Sequence, residues 1–113
     1  MSNMNCIVHR AKMLREWRSW IENVVKAIKD LLPDAEIYVI GSVAEGRAIA
    51  TSDLDLLVVS ARAPKRPREI AELRVLIEEK AGLPPYNPLE IHFASPEDKE
   101  RYFRKSRQFI RLA

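Results

Sequence analysis

Apolar residues at Met13 or Leu14, Trp17, Ile21, Val24, Ile28 and Leu31 recur at the three- and four-residue spacing that lines one face of a helix. The pattern predicts an amphipathic helix from about Arg10 to Leu32, stopped by Pro33, with Trp17 in the core and Trp20 at its edge. Glu36-Ile37-Tyr38-Val39-Ile40 is then a short β-branched run ending at Gly41, the pattern of a strand. A short helix carries Ser42, and Leu54 to Ser60 forms a second strand. From Pro67 to Ala81, Ile70, Leu73, Ile77 and Ala81 share a helical face, and Gly82 caps it. Leu89-Glu90-Ile91-His92-Phe93 alternates apolar and polar residues after the turn-rich Gly82 to Pro88, so it reads as a third strand. Ser95 and Pro96 have the chemistry of an N-cap and first helical position, and predict a final helix.

The order α-β-α-β-α-β-α implies an α/β (α+β) fold in which a small mixed β-sheet is layered with helices. At 113 residues, the expectation is a single domain over 1–113, without a second domain to bind an acceptor. In the second strand, Leu57 and Val59 share a face with Asp55, while Leu54, Leu56 and Val58 take the other. Both faces therefore need cover, from a terminal helix or from a partner chain.

Chemistry concentrates around the second strand. A glycine after the first strand lets a ligand approach backbone with no Cβ in the way, and Ser42 stands where a helix begins. Its hydroxyl and the neighbouring N–H groups are candidates for holding phosphate oxygens. Asp53 and Asp55 point the same way, with Cα atoms roughly 6.6 Å apart, two strand rises. Carboxylates so placed can bridge two divalent ions about 3.5–4 Å apart, the arrangement used for in-line attack on phosphorus. Hard cations need further oxygen ligands, and Glu90 offers one if its strand pairs with that of the aspartates, about 4.8 Å away. A P-loop is excluded: Gly41 and Gly46 have its spacing, but Arg47 and Ala48 stand where lysine and a hydroxyl residue are required.

Gly41-Ser42, Asp53-Leu54-Asp55-Leu56 and Leu89-Glu90-Ile91 resemble the three signature elements of the DNA-polymerase-β-like nucleotidyltransferase superfamily, and of its minimal members in particular. By motif the resemblance spans residues 36 to 93, with support from Ser52 through Val59 and from Ile91 through Asp98. One departure is Glu45 before Gly46, where minimal members often carry arginine; here Arg47 follows instead. The resemblance implies a nucleotidyltransferase fold and an enzyme transferring a nucleoside monophosphate, AMP from ATP, to a hydroxyl of a macromolecule. It implies Asp53, Asp55 and Glu90 as catalytic residues and ligands of two Mg2+ ions, with Gly41, Ser42, Arg47 and Ser52 contacting the nucleotide. It further implies the antitoxin of a toxin-antitoxin pair, acting on a tyrosine of a helical HEPN-type partner.

Two other readings belong to different classes. A non-catalytic subunit would bind nucleotide or occlude its partner, and a nucleic-acid-binding module would need its basic clusters to form one groove. Those clusters are Arg62, Lys65, Arg66 and Arg68, then Arg101, Arg104, Lys105, Arg107 and Arg111, and they supply most of the +3 net charge. They lack interleaved aromatics, and solvated faces explain them. With 47% hydrophobic and 31% charged residues the chain is neither disordered nor fibrous. Lone Cys6 forms no internal disulfide. The apolar strands are far too short to span a bilayer and the N-terminus lacks an apolar signal core, so a cytoplasmic protein without membrane contact is expected. Apolar surface beyond what one small domain covers predicts association, with a partner or as a homo-oligomer.

Overall fold

A computed structural model describes residues 3–113. Helix α1 (Asn3–Arg15) leads through a 3-10 turn at Trp17–Ser19 into α2 (Ile21–Leu31). Strand β1 (Glu36–Ile40), the single turn α3 (Gly41–Ala44) and β2 (Leu54–Val59) follow. Helix α4 (Pro67–Ala81), β3 (Leu89–Ala94), α5 (Lys99–Lys105) and β4 (Ile110–Arg111) complete the chain.

The sheet has order β3-β2-β1-β4. β1 runs antiparallel to both β2 and β4, and β2 runs parallel to β3, so the sheet is mixed as expected. The parallel pair requires a crossover, and α4 provides it. On one face Ile37, Val39, Leu54, Leu56, Val58, Leu89 and Ile91 pack with Val24 and Ile28 of α2 and Ile77 of α4. Removing this apolar surface from water, at roughly 25 cal/mol per Å2, is the main force holding the layers together.

The opposite face carries the smaller cluster of Tyr38, Ile40, Leu57, Val59 and Ala94, covered by Tyr102 and Phe103 of α5. The cover that Leu57 and Val59 require thus comes from the chain itself. It removes the reason, based on those two residues, for expecting a partner on that face. Apolar side chains that do remain exposed are Ile7, Val8, Ile49, Val75, Leu76 and Phe109.

Three local features depart from the sequence pattern. The expected Arg10–Leu32 helix is two helices, because Trp20 Nε1–H donates to the Met13 carbonyl at 3.0 Å. A continuous helix would give that acceptor to the Trp17 N–H. Ser19 adds to the break by donating its hydroxyl to the Glu16 carbonyl, the side-chain competition that disfavours serine in helix interiors. Trp17 is buried in the core and Trp20 packs at its border, as their spacing predicts. The last helix begins at Lys99 rather than after Ser95, whose hydroxyl donates to the Asp98 carboxylate within a preceding turn. Strand β4 has no counterpart in the expected order; it is held by Leu112 N–H to the Ile37 carbonyl at 2.8 Å and Ile37 N–H to the Ala113 carbonyl at 3.0 Å.

Candidate active site

The site lies where β1 ends and β2 begins. Ile40 pairs with Asp55 across the antiparallel ladder, so the chain turns at Gly41 directly beside the Asp55 side chain. Gly41 has φ +73°, and a Cβ built there would stand 2.8 Å from Asp55 Oδ2. Both facts demand glycine, one from backbone conformation and one from space. The Gly41 N–H donates to Ser106 Oγ at 3.3 Å, and that hydroxyl donates to the Gln108 carbonyl at 2.6 Å. The segment after α5 is thereby tied to the turn.

β3 supplies the third carboxylate in register. Asp55 pairs with Glu90 and Leu57 with His92, so Glu90, His92 and Asp55 share the α5-side face. Asp53 immediately precedes β2 rather than lying within it. The sheet therefore brings together the ends that carry all three acids, as the alternation of residues implies.

Each acid is answered by a different basic side chain. Arg10 of α1 donates through Nη2 to Asp53 Oδ1 at 2.6 Å and through Nη1 to the Ser52 carbonyl at 3.1 Å. His92 Nε2 lies 3.1 Å from Asp55 Oδ1. Arg74 of α4 donates to Glu90 Oε2 at 2.9 Å. Among the described residues, no three His, Cys, Asp or Glu side chains converge as a ready metal cluster. The donor chemistry nevertheless fits a hard divalent ion: Asp53, Asp55 and Glu90 offer oxygens from adjacent strand ends, and Gly41 leaves Asp55 Oδ2 uncovered by any Cβ. An ion binding there competes with two arginines that stay charged at any working pH.

The remaining predicted contacts are more dispersed. Gly41 and Ser42 open α3 beside Asp55. Ser52 Oγ accepts the Ile49 N–H at 2.9 Å and closes the loop before Asp53. Arg47 is exposed and bonded to Glu45 Oε2 at 3.3 Å. Arg10, Arg74 and Ser106 escaped the sequence reading, since nothing in a helical or loop pattern says which carboxylate or amide a long or small polar side chain will reach.

The sequence matches the family model for a nucleotidyltransferase domain over residues 21–112. The chain belongs to the nucleotidyltransferase domain family. The match begins at α2, so α1 and Arg10 precede it. Among solved structures, this nucleotidyltransferase is similar to a crystal structure assigned as a nucleotidyltransferase, at 29% identity and TM-score 0.63, covering 82% of this chain and 97% of that one. A structure assigned as a minimal nucleotidyltransferase is 26% identical with TM-score 0.54, covering 88% and 94%. A crystal structure of a toxin-antitoxin with AMP-PNP shares the fold at 18% identity and TM-score 0.57, covering 81% and 71%. No curated protein matches the chain. Among the described residues, no helix is long and apolar enough to cross a membrane.

Proposed function

We propose that this nucleotidyltransferase transfers AMP from ATP to a hydroxyl of a macromolecular acceptor. The observation that carries the reading is the register of Asp55 with Glu90, next to a glycine turn that leaves one Asp55 oxygen open. The acceptor oxygen attacks the α-phosphorus, the bond to the bridging oxygen breaks, and pyrophosphate leaves. Two Mg2+ ions held by Asp53, Asp55 and Glu90 would supply charge neutralisation for attacking and leaving oxygens. Gly41 admits the phosphates close to backbone, and Ser42, Arg47 and Ser52 border their path. Glu90 receives the proton of the acceptor hydroxyl, its Oε2 leaving Arg74 to do so.

The acceptor we favour is a tyrosine of a helical HEPN-type toxin, with this chain as cytoplasmic antitoxin and one domain sufficing for the chemistry. The toxin-antitoxin neighbour, whose structure holds AMP-PNP, supports that assignment. Incubation with α-labelled ATP, Mg2+ and such a partner should label the partner. Asp53→Asn with Asp55→Asn should abolish both metal-dependent ATP binding and labelling, whereas Glu90→Gln should spare ATP binding and lose labelling. Full labelling by the Gln variant would mean another group activates the acceptor.

A second reading, a partner-occluding subunit without catalysis, has one observation in its favour: all three acids are engaged by Arg10, His92 and Arg74. It predicts tight partner binding with no transfer of label. The nucleic-acid reading is weakened by placement. Arg62, Lys65, Arg66 and Arg68 follow the Val59 end of β2 and Lys105 and Arg107 flank the Ser106 tie to Gly41, while Arg101, between the two groups, is already engaged by Asp98.

A further inference from the structure

The site is asymmetric about β2. Its Gly41 turn stands on the β1 side of Asp55, whereas Glu90, which takes the acceptor proton in the proposed transfer, stands on the β3 side. An acceptor hydroxyl therefore comes in over the start of β3, and a phenol of the chain itself is placed there. Tyr86 belongs to the connection between α4 and β3. Two residues on, the Pro88 carbonyl accepts the N–H of Leu54, the neighbour of Asp53, at 2.8 Å. Two residues of chain span at most about 7 Å, so Tyr86 is confined to the acid end of the sheet. The connection is stiff as well. Pro84, Pro85 and Pro88 fix φ, and Asn87 donates from Nδ2 to the Pro84 carbonyl at 2.8 Å while its Oδ1 accepts the Leu89 N–H at 3.0 Å.

The phenol is also held from α1. Its hydroxyl lies 3.5 Å from His9 Nδ1, with the two rings 6.0 Å apart, and the next residue of α1, Arg10, reaches Asp53 at 2.6 Å. Asp53 and Tyr86 thus touch consecutive residues of one helix. The other two tyrosines are committed elsewhere. Tyr38 is buried and gives its hydroxyl to Glu36, and Tyr102 packs against the Leu57 and Val59 cluster as part of the α5 cover.

We propose, on the basis of the transferase reading, that the chain also transfers AMP to the phenol oxygen of its own Tyr86. That oxygen attacks the α-phosphorus of ATP, a P–O bond forms, the bond to the bridging oxygen breaks, and pyrophosphate leaves with the electron pair. The phenol proton goes to Glu90. The product is a phosphodiester joining Tyr86 to AMP. His9 is a positioning residue, keeping the hydroxyl at the rim of the site so that the step needs no second molecule. A loop already carrying AMP occupies the side by which an outside hydroxyl enters, so modification of Tyr86 slows transfer to a partner.

The test uses the whole chain with Mg2+ and α-labelled ATP and no other protein. The chain should become labelled, tandem mass spectrometry should find AMP on Tyr86, and the labelled fraction at a given time should not depend on protein concentration. Tyr86→Phe should keep ATP binding by calorimetry and lose the label. His9→Ala should slow labelling and His9→Asn, whose side-chain oxygen can accept the phenol O–H, should restore it, a rescue that a merely structural role would not show. Label on Tyr38 or Tyr102, or label that survives Tyr86→Phe, would overturn the assignment. So would label retained by the Asp53→Asn, Asp55→Asn double variant, or a rate that rises with protein concentration and so places the acceptor on another copy. The two readings fail separately: a chain that labels a partner protein but never itself sinks Tyr86 alone, whereas label on neither sinks the transferase with it.

Discussion

Gly41 and Gly46 allow the contact between the turn and Asp55 to be weighed by itself. Both adopt the left-handed region, φ +73° and +74°. A Cβ at Gly46 meets nothing within 4 Å, whereas one at Gly41 meets Asp55 Oδ2 at 2.8 Å. Alanine at either position costs roughly 1–2 kcal/mol for left-handed backbone. Part of that is offset, by about 0.4–1 kcal/mol, because alanine restricts the unfolded chain. Gly46→Ala should therefore lose about 1 kcal/mol. Gly41→Ala must in addition push the Asp55 carboxylate off its bond to His92, a further loss of about 1–2 kcal/mol. For a domain of this size the difference between the two variants is roughly 4–8 °C in Tm. Thermal melts followed by circular dichroism measure it, and Mg2+-ATP calorimetry on the same samples should find binding lost in Gly41→Ala and kept in Gly46→Ala. Equal melting losses in the two variants would refute the argument, because the carboxylate would then not lie against the turn.

Three other outcomes follow from contacts elsewhere. The Asp34 carboxylate is held below the usual aspartate range, chiefly by the Ser60 hydroxyl and then by the Ala61 N–H. A carboxyl depressed in the folded state stabilises it at neutral pH, and that contribution begins to be lost as the pH falls below the ordinary aspartate value of about 3.9 and is gone below the lower folded-state value; Asp34→Asn should thus lower the urea midpoint at pH 7, with the gap narrowing as the solution is acidified below that ordinary value. Arg10→Met should tighten Mn2+ binding by about tenfold, equivalent to roughly 1.4 kcal/mol, since it removes the cation 2.6 Å from Asp53; an unchanged affinity measured by electron paramagnetic resonance would show that Arg10 does not compete. Phe103→Ala removes a ring stacked on Phe109 at 4.4 Å and edge-on to Tyr38 at 5.0 Å, and should cost about 2 kcal/mol; dye binding to newly exposed apolar surface around Leu57 should rise with it.

Strand and helix periodicity carried the sequence reading wherever burial is regular. Leu54 to Val59 alternates around a buried strand, Ile70 to Ala81 lines a helix against α2, and Asp55 and Glu90 share a face because strand side chains alternate without exception. The break at Trp17–Ser19 was hidden because the same apolar spacing serves one helix or two; only the indole N–H of Trp20 decides, and its acceptor is a backbone carbonyl. β4 was missed because a strand of two residues is too short to express a period, although Phe109-Ile110-Arg111-Leu112 does alternate apolar and charged residues after Phe109. The carboxylates themselves were legible, but not their counter-ions: Arg10 and Arg74 come from helices whose docking angles no local pattern fixes.

The parallel pairing of β2 with β3 also bears on when during folding the site comes into being. β1 and β2 join as antiparallel neighbours in sequence, and that local step already sets Gly41 against Asp55. Glu90 arrives only when the chain has run out through α4 and back, a closure whose entropic cost must be met before the new contacts reward it. A chain caught between these steps holds two aspartates with neither Glu90 nor Arg74 nearby. On the proposed mechanism the site is complete only once β3 has joined the hairpin that carries its most recognisable residues, and a chain without that pairing would have the signature but not the third carboxylate.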